Sequence, residues 1–562
     1  MFSPVERNPS INDSLSHTLK QSRSEEAPRG ISAGRNVTVC DKNESLFLSL
    51  PRIPTLMIIG HLNFREVTGL AMVCKHFHTF IKTNKTVERA WYRRFPSPHQ
   101  YQLNTIATTK KDEEKLRHWL QPFAYEDTIK SLIEQRNMTH FPADLLFTNS
   151  KLMSQCEKFE LVEKNKFSHS NTICKATFSA DGYHLVSTGM DKKAIIYGQK
   201  INGSWVQEAK IPHDCWLRFA IFSHDSRHVV SAGIHDGKAK ICGQGDDGSW
   251  QEIVTIRHKG VVLSATFSAD DHLVMTASSD GVVKINGQET YGSWEQKATI
   301  NHNGSIVSAS LSFDGGHLLV IDSDNTITIY GQEEDGSWKV KTAIHHEDNV
   351  RSATFSTDGH HLATANVDGT AKIYDLLDDG SWKAITTISH RDKVYSANFS
   401  SDSNRVVTAS ADRKAKIYVR KAPGSWEEEA TIEQQGAVTS ADFSADGRHL
   451  VTASDDHTAT IYGPKAPGSW VKKTTITHKG WVRSATFSAD GCHVLTIANK
   501  DKEAQIYGLG GDGSWVKKAT IRRKSRIVLA TISSDGRHVL TINASHQLRI
   551  TELQRKDQLH VP

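Results

Sequence analysis

The chain has 562 residues, room for two to four domains, and 38% of them are hydrophobic, enough for globular cores. Lys and Arg together number 68 against 63 Asp and Glu, a formal net charge of +5, too balanced for wholesale binding to nucleic acid or a membrane. The seven Cys are odd in number and form no Cys-x-x-Cys pair, which argues against a disulfide framework or a Cys-based zinc site, and no run reaches the ~18 apolar residues of a membrane span.

In chain order, residues 1–44 are polar and lack an apolar signal core, so a disordered leader is expected there. Asn36-Val37-Thr38 is formally a glycosylation sequon, but it carries little weight without a signal peptide. Residues 50–77 read LPRIPTLMIIGHLNFREVTGLAMVCKHF. Apolar residues at Ile58, Ile59, Leu62, Val67, Leu70, Val73 and Phe77 recur at mixed three- and four-residue spacing, which predicts short amphipathic helices. Pro51 suits a helix start. Spacing alone predicts only a small helical bundle.

The order of residues in this segment resembles the F-box family. It opens on Leu50-Pro51, continues with Ile58, Ile59 and Leu62, then Glu66-Val67 and Leu70, and closes on Val73-Cys74-Lys75-His76-Phe77. Trp91 and Phe95 stand where such domains often carry trailing aromatics. Pro54 departs from the pattern, at a usually aliphatic position, and implies a later start to the first helix. The resemblance implies an F-box domain over 45–96 that docks on a Skp-type adaptor and through it on a cullin–RING ubiquitin ligase. Leu50, Pro51, Ile58, Ile59, Leu62, Val67, Leu70, Val73 and Cys74 would make that contact or pack behind it, as a helical face filling a groove. Residues 97–157 read as a helical linker.

An internal repeat dominates the rest. Gly-Ser-Trp occurs eight times, with Trp at 205, 250, 294, 338, 382, 426, 470 and 515. A second landmark of the form ATFSADG recurs nine times, with its anchor at Phe178, Phe222, Phe267, Leu311, Phe355, Phe399, Phe443, Phe487 and Ile532. Within one unit, VTSADFS, HLVTAS, TATIYG and WVKKTTI are short β-branched or aromatic runs separated by turn residues. Four strands in ~40–45 residues is the blade period of a β-propeller.

This pattern resembles the WD-repeat family, in which a His before the first strand, a Ser or Thr on the second and an Asp before the third hydrogen-bond to one another. His258, Thr276 and Asp280 fit, as do His390, Thr408 and Asp412, and His346, Thr364 and Asp368. The family's Trp-Asp ending is absent, with Tyr-Gly at Tyr197, Tyr330, Tyr462 and Tyr507 and Tyr-Asp at 374–375; Gln434 and Arg523 stand where a His is expected, and Val320 replaces a Thr. Nine sets of three strands but only eight Gly-Ser-Trp fourth strands leave one missing. The segment 158–167 can supply it and close a ring over 158–553, leaving 554–562 as a tail. The expected fold is therefore multidomain: a small all-α F-box and helical linker, then an all-β propeller of nine blades, or of eight and an unconventional unit.

Propellers of this family bind partners at the mouth of the central channel, and F-box/WD-repeat receptors that read phosphorylated segments often carry Arg early in the first strand. The position four residues before each anchor holds Cys174, Arg218, Leu263, Val307, Arg351, Tyr395, Thr439, Arg483 and Val528. Arg218, Arg351, Tyr395 and Arg483, with Trp481 and Lys500, are the candidate substrate-binding residues. The bland alternative is that these Arg are ordinary solvated side chains. No catalytic constellation, phosphate loop or zinc motif stands out from the repeat. The resemblance thus implies a non-catalytic substrate receptor of a ubiquitin ligase, without cofactor or metal, binding an acidic or phosphorylated protein in the cytoplasm or nucleus, or in a host's cytoplasm for a delivered microbial protein. A WD-repeat scaffold without ligase engagement is the alternative.

Overall fold

The computed structural model describes residues 67, 82, 85–93, 95 and 97–555, apart from 290, 291, 467 and 511. The segment 50–77 lies outside the described residues except for Val67, which is helical and buried. So do the leader 1–44 and the chain beyond 555.

Five helices lead into the sheets: α1 (Thr86–Arg93), α2 (Ser97–Thr109), α3 (Glu113–Leu120), α4 (Glu126–Gln135) and α5 (Phe141–Gln155). Asp112 caps α3 by accepting the Lys115 amide, and Pro142 fits the first turn of α5, where its missing N–H is no loss. Trp91 and Phe95 stack edge-on, and Trp91 also meets Phe147 of α5. Their cluster includes Leu103, Ile106 and Leu146. The trailing aromatics of the F-box-like segment therefore pack into the same helical body as the expected linker.

Nine four-stranded antiparallel sheets follow. Numbered as blades 1–9, their first strands begin at Ile173, Leu217, Val262, Ile306, Val350, Val394, Val438, Val482 and Ile527. The last blade takes its fourth strand from the start of the repeat region. Strand β1 (Phe159–Ser168) pairs antiparallel with Gln547–Arg555, from Phe159 opposite Arg555 to Ser168 opposite Gln547. The ring closes through the segment expected to close it, with nine blades, one more than the usual upper size.

Each landmark of the repeat has a local cause. In the ATFSADG turn, the Ser hydroxyl donates to the Asp two residues on at 2.5–2.6 Å and accepts an amide N–H from five residues on at 2.9–3.0 Å. The residue after the turn Asp in most blades is left-handed and usually Gly, as at Gly182 (φ 74°); Ser226, Asp271 and Ser403 take that conformation instead. The Gly-Ser-Trp aromatic is a wedge between blades. Trp250 lies 6.0 Å from Phe222 of its own blade and 5.6 Å from His184 of the blade before, and Trp294 and Trp515 repeat the arrangement with Phe267 and His228, and with Phe487 and His449. The repeating second-strand His is thereby explained as packing.

The His–Ser/Thr–Asp lock forms in some blades and not in others. His390 reaches Asp412 at 2.9 Å and Thr408 at 2.8 Å, and His169, His213 and His478 do likewise with their partners. His258 reaches Thr276 at 2.9 Å, but Asp280 stands 4.0 Å away. His346, expected to join Thr364 and Asp368, meets neither: both its nitrogens and the Thr364 hydroxyl are buried without a hydrogen-bond partner, and Asp368 turns to Thr370. Where Val320 removes the hydroxyl, His302 bonds Asp322 and Tyr330 instead. Gln434 and Arg523 are partial substitutes, donating to Thr452 and Thr541 respectively.

The helical body seats on the turns that join first and second strands in blades 7, 8, 9 and 1. Trp119 Nε1 donates to Asp535 Oδ2 at 2.9 Å, and Ser150 Oγ lies 2.9 Å from Cys492 Sγ. Arg537 is buried, donates to Asn149 Oδ1 at 2.7 Å and stacks 3.7 Å from the Trp119 ring centre. Lys110 is also buried, with its ammonium 3.4 Å above the Tyr183 ring and 3.5 Å from the Asp181 carbonyl. Leu103 and Ile106 of α2 close this end of the channel beneath Phe178, Phe222, Phe443 and Phe487.

Two outcomes follow from this packing. Deleting 158–167 leaves an unpaired sheet edge in blade 9 and a gap where β1 joined the helices; the variant should be less soluble and melt lower, and a deletion as soluble and stable as the parent would refute closure there. Burial pulls Lys110 down to about 8 from 10.5, against the opposing pull of Asp535 and Asp181. A lowered ammonium pKa means the folded state bears the penalty in full below about pH 8 and loses it as pH rises toward the unfolded value. Relative to Lys110→Met, the parent should gain up to about 3 kcal/mol between pH 7 and 10.5. Parallel melting-temperature profiles for the two proteins would contradict this.

Candidate binding surface

The first strands line the channel and run between two different ends. At one end are the Ser-x-Asp turns, in part covered by the helices. At the other, every first strand carries a β-bulge after its first residue. The nine bulged residues are those of the expected site position: Cys174, Arg218, Leu263, Val307, Arg351, Tyr395, Thr439, Arg483 and Val528. A bulge leaves one residue out of the ladder and re-aims its side chain, so this position varies without disturbing the sheet.

Arg218, Arg351 and Arg483 are exposed and make no hydrogen bond or ion pair among the described residues. They stand in blades 2, 5 and 8, three blades apart each time, so the closed ring spaces them at thirds of its circumference. Arg351 and Tyr395, in adjacent blades, do come together: the guanidinium carbon lies 5.5 Å from the ring centre, within cation–π range. Trp481 and Arg483 share a recess with Thr439, Asp455 and Asn499. Lys500 lies next to it, in a separate cleft with Lys479, Lys502, Lys517, Arg522 and Arg523. The six candidates thus fall into three groups: Arg218 alone, Arg351 with Tyr395, and Trp481, Arg483 and Lys500 on blade 8.

Two features escaped the sequence reading. Trp216 is 46% exposed and Trp481 56%. Each follows its lock His by three residues and precedes a bulge Arg by two, so blades 2 and 8 share a Trp-x-Arg pair that an alignment on the lock His would have exposed. The second is the basic cleft, signalled by the run Arg522-Arg523-Lys524-Ser525-Arg526. Its two carboxylates are engaged within the chain: Arg522 Nε donates to Glu503 at 2.9 Å, and Asp501 meets His478 at 2.8 Å. Burial holds His478 below its ordinary range despite that Asp. Among the described residues no group of three His, Cys, Asp or Glu could hold a metal ion, and no helix is long and apolar enough to cross a membrane.

Five segments, residues 162–197, 250–285, 338–375, 382–418 and 426–462, match the WD domain, G-beta repeat. Each begins in the fourth strand of one blade and ends in the third strand of the next, so the first match opens on β1 itself. No curated protein matches the chain in sequence. Among solved structures, the chain is similar to Chaetomium thermophilum Sqt1 bound to the N-terminus of the ribosomal protein L10, at 15% identity and TM-score 0.46 over 58% of this chain and 94% of that one. It is similar to Saccharomyces cerevisiae Sqt1 at 13% identity and TM-score 0.47, over 66% and 100%. It also resembles the C-terminal WD40 domain of Sif2 at 14% and 0.46, over 71% and 99%. Likenesses this distant say nothing of function. The chain carries WD repeats, and its described residues close them into a nine-bladed β-propeller.

Proposed function

We propose that the chain is a non-catalytic substrate receptor of a Skp-adaptor/cullin/F-box ubiquitin ligase. The observation that carries this is the ordered set of F-box-like residues, Leu50-Pro51 through Val73-Cys74-Lys75-His76-Phe77, placed just before a helical body docked on one propeller face. In this reading 45–96 holds the adaptor, the helices fix the distance, and the opposite face captures a protein substrate. The unpaired Arg218, Arg351 and Arg483 favour an acidic or phosphorylated segment, since guanidinium groups bind carboxylate and phosphate in bidentate fashion. A second reading, a protein-interaction scaffold without ligase engagement, draws support from the family match, which is confined to the WD repeats.

Adaptor capture separates the two. Leu50→Ala with Pro51→Ala should abolish co-purification with a Skp-type adaptor and cullin while the propeller's melting temperature holds. Undiminished capture by that variant would refute docking through the F-box-like residues, and no capture by the parent would leave the scaffold reading. For the substrate, Arg351→Ala with Arg483→Ala should weaken binding roughly a hundredfold, from two charge-assisted hydrogen bonds near the low end of ~1.5–3 kcal/mol each. Unchanged partners with and without phosphatase treatment would mean that these Arg read no anionic signal.

A further inference from the structure

We propose that blade 8 carries a radial binding track for an extended polyanionic peptide segment, from Lys517 and Arg522 at the rim, over Lys500 and Lys479, to Trp481 and Arg483 at the channel mouth. This rests on the reading of the face opposite the helices as the substrate surface. It goes beyond that reading by adding to the Arg around the ring a continuous run of cations confined to one blade.

Two adjoining depressions compose the track. The outer one is lined by six cationic side chains and two carboxylates, the inner one by Trp481, Arg483 and Asn499. Asn499 and Lys500 are consecutive and join them, and Arg526 donates to Asn499 Oδ1 at 3.2 Å on the same seam. The carboxylates of the outer cleft are engaged by Arg522 and His478. Arg523 is directed inward to Thr541 and Thr551. The ammonium groups of Lys479, Lys500, Lys502 and Lys517 are exposed and form no ion pair among the described residues. Four like charges on one blade outnumber the two carboxylates beside them, and Glu503, held ionised by its pair with Arg522 and with help from Lys479 and Lys517, is already engaged, so the cluster gains by meeting an anion.

The geometry selects the ligand's form. The track crosses blade 8 from its outermost strand (Trp515–Arg522) to its innermost (Val482–Phe487). Three strand spacings of ~4.8 Å make roughly 14 Å, the length of about four to five extended residues. A lone phosphate would meet a fraction of these charges. Single-stranded nucleic acid needs a continuous basic groove with a series of stacking faces. Here Trp481 is the single aromatic, and Asp455 and Glu503 interrupt the positive surface. A short peptide that places acidic groups at intervals fits the interruptions.

The test uses the full chain and fluorescence anisotropy at physiological salt. The probes are a hexaglutamate peptide, a peptide of equal length carrying phosphoserines on a Gly-Ser frame, the same frame uncharged, and an oligouridylate. Either acidic peptide should bind more tightly than the uncharged frame and the RNA, and the stronger of the two identifies carboxylate or phosphate as the natural charge. Lys479→Ala, Lys500→Ala and Lys502→Ala together should weaken that binding at least about tenfold, while Lys259→Ala with Arg391→Ala, exposed cations that follow the lock His in blades 3 and 6, changes it less than about twofold. All five side chains lie on the surface, so melting temperatures should hold. Undiminished binding by the triple Lys variant, an equal loss in the Lys259 and Arg391 variant, or tighter binding of RNA would overturn the proposal. If neither acidic peptide binds while adaptor capture still depends on Leu50 and Pro51, the track is refuted and the receptor reading stands.

Discussion

The architecture depends on one antiparallel pairing, β1 with Gln547–Arg555. Every other blade draws its four strands from a continuous stretch of chain, whereas blade 9 joins residues nearly 400 positions apart. Before that pairing forms, blade 9 has three strands and an open edge, and the ring has no fixed circumference. Because α5 ends three residues before β1 begins, the same pairing pulls the helical body against blades 8, 9 and 1. Lys518 on the fourth strand of blade 8 reinforces the junction by donating to the carbonyls of Ser154 and Cys156. Closing the ring and orienting the helices are one event.

That coupling gives the molecule two unlike faces. On the helical side, charge is buried and matched: burial holds Arg537 down to about 10, and neighbouring His538, Lys110 and Arg537 hold Asp535 down to about 2 against its own burial. Such a network is costly to break by removing one member, because the partner is left buried and uncompensated. It therefore resists rocking of the helices on the propeller. On the opposite face Arg218, Arg351, Arg483, Lys479, Lys500, Lys502 and Lys517 are exposed and form no ion pair among the described residues. Blade 8 belongs to both. Its first turn is held by Ser150, its second strand meets Phe159 through His493, and its free edge carries the basic track. A partner bound there would sit on a blade that the helices also hold.

Much of this was legible in the sequence, and the exceptions have physical reasons. Periodicity placed the blades, the missing fourth strand identified 158–167, and the variable first-strand position coincided with nine bulges. Docking of the helical body was invisible because repeat position does not encode it. Arg537, Arg448 and Arg227 occupy equivalent turns, yet Arg537 is buried and the other two are exposed. What distinguishes them is the presence of Trp119, Phe123 and Asn149 some 400 residues away. The lock at His346 was over-read for the opposite reason: correct residues at correct spacing did not ensure that the rings and hydroxyls meet. The basic cleft was missed because alignment on the first strand hides charges that lie on turns and fourth strands. The F-box resemblance rests on residues that, Val67, Trp91 and Phe95 apart, lie outside the described structure.

Blades 2 and 8 share one departure from the repeat. In blades 2 and 8 the lock His and Asp are 23 residues apart, His213 to Asp236 and His478 to Asp501, one more than the 22 of His169 to Asp191 and His390 to Asp412. The extra residue does not break the lock, whose distances stay at 3.2 and 2.8 Å. The turn between second and third strands absorbs it, and in blade 8 that turn carries Lys500 with a left-handed φ of 77°. These are also the two blades with an exposed Trp two residues before a bulge Arg. The repeats that supply their first three strands are absent from the family match, as are those of blades 4 and 9. A framework fixed by buried locks and Trp wedges leaves bulges and turns free to diverge.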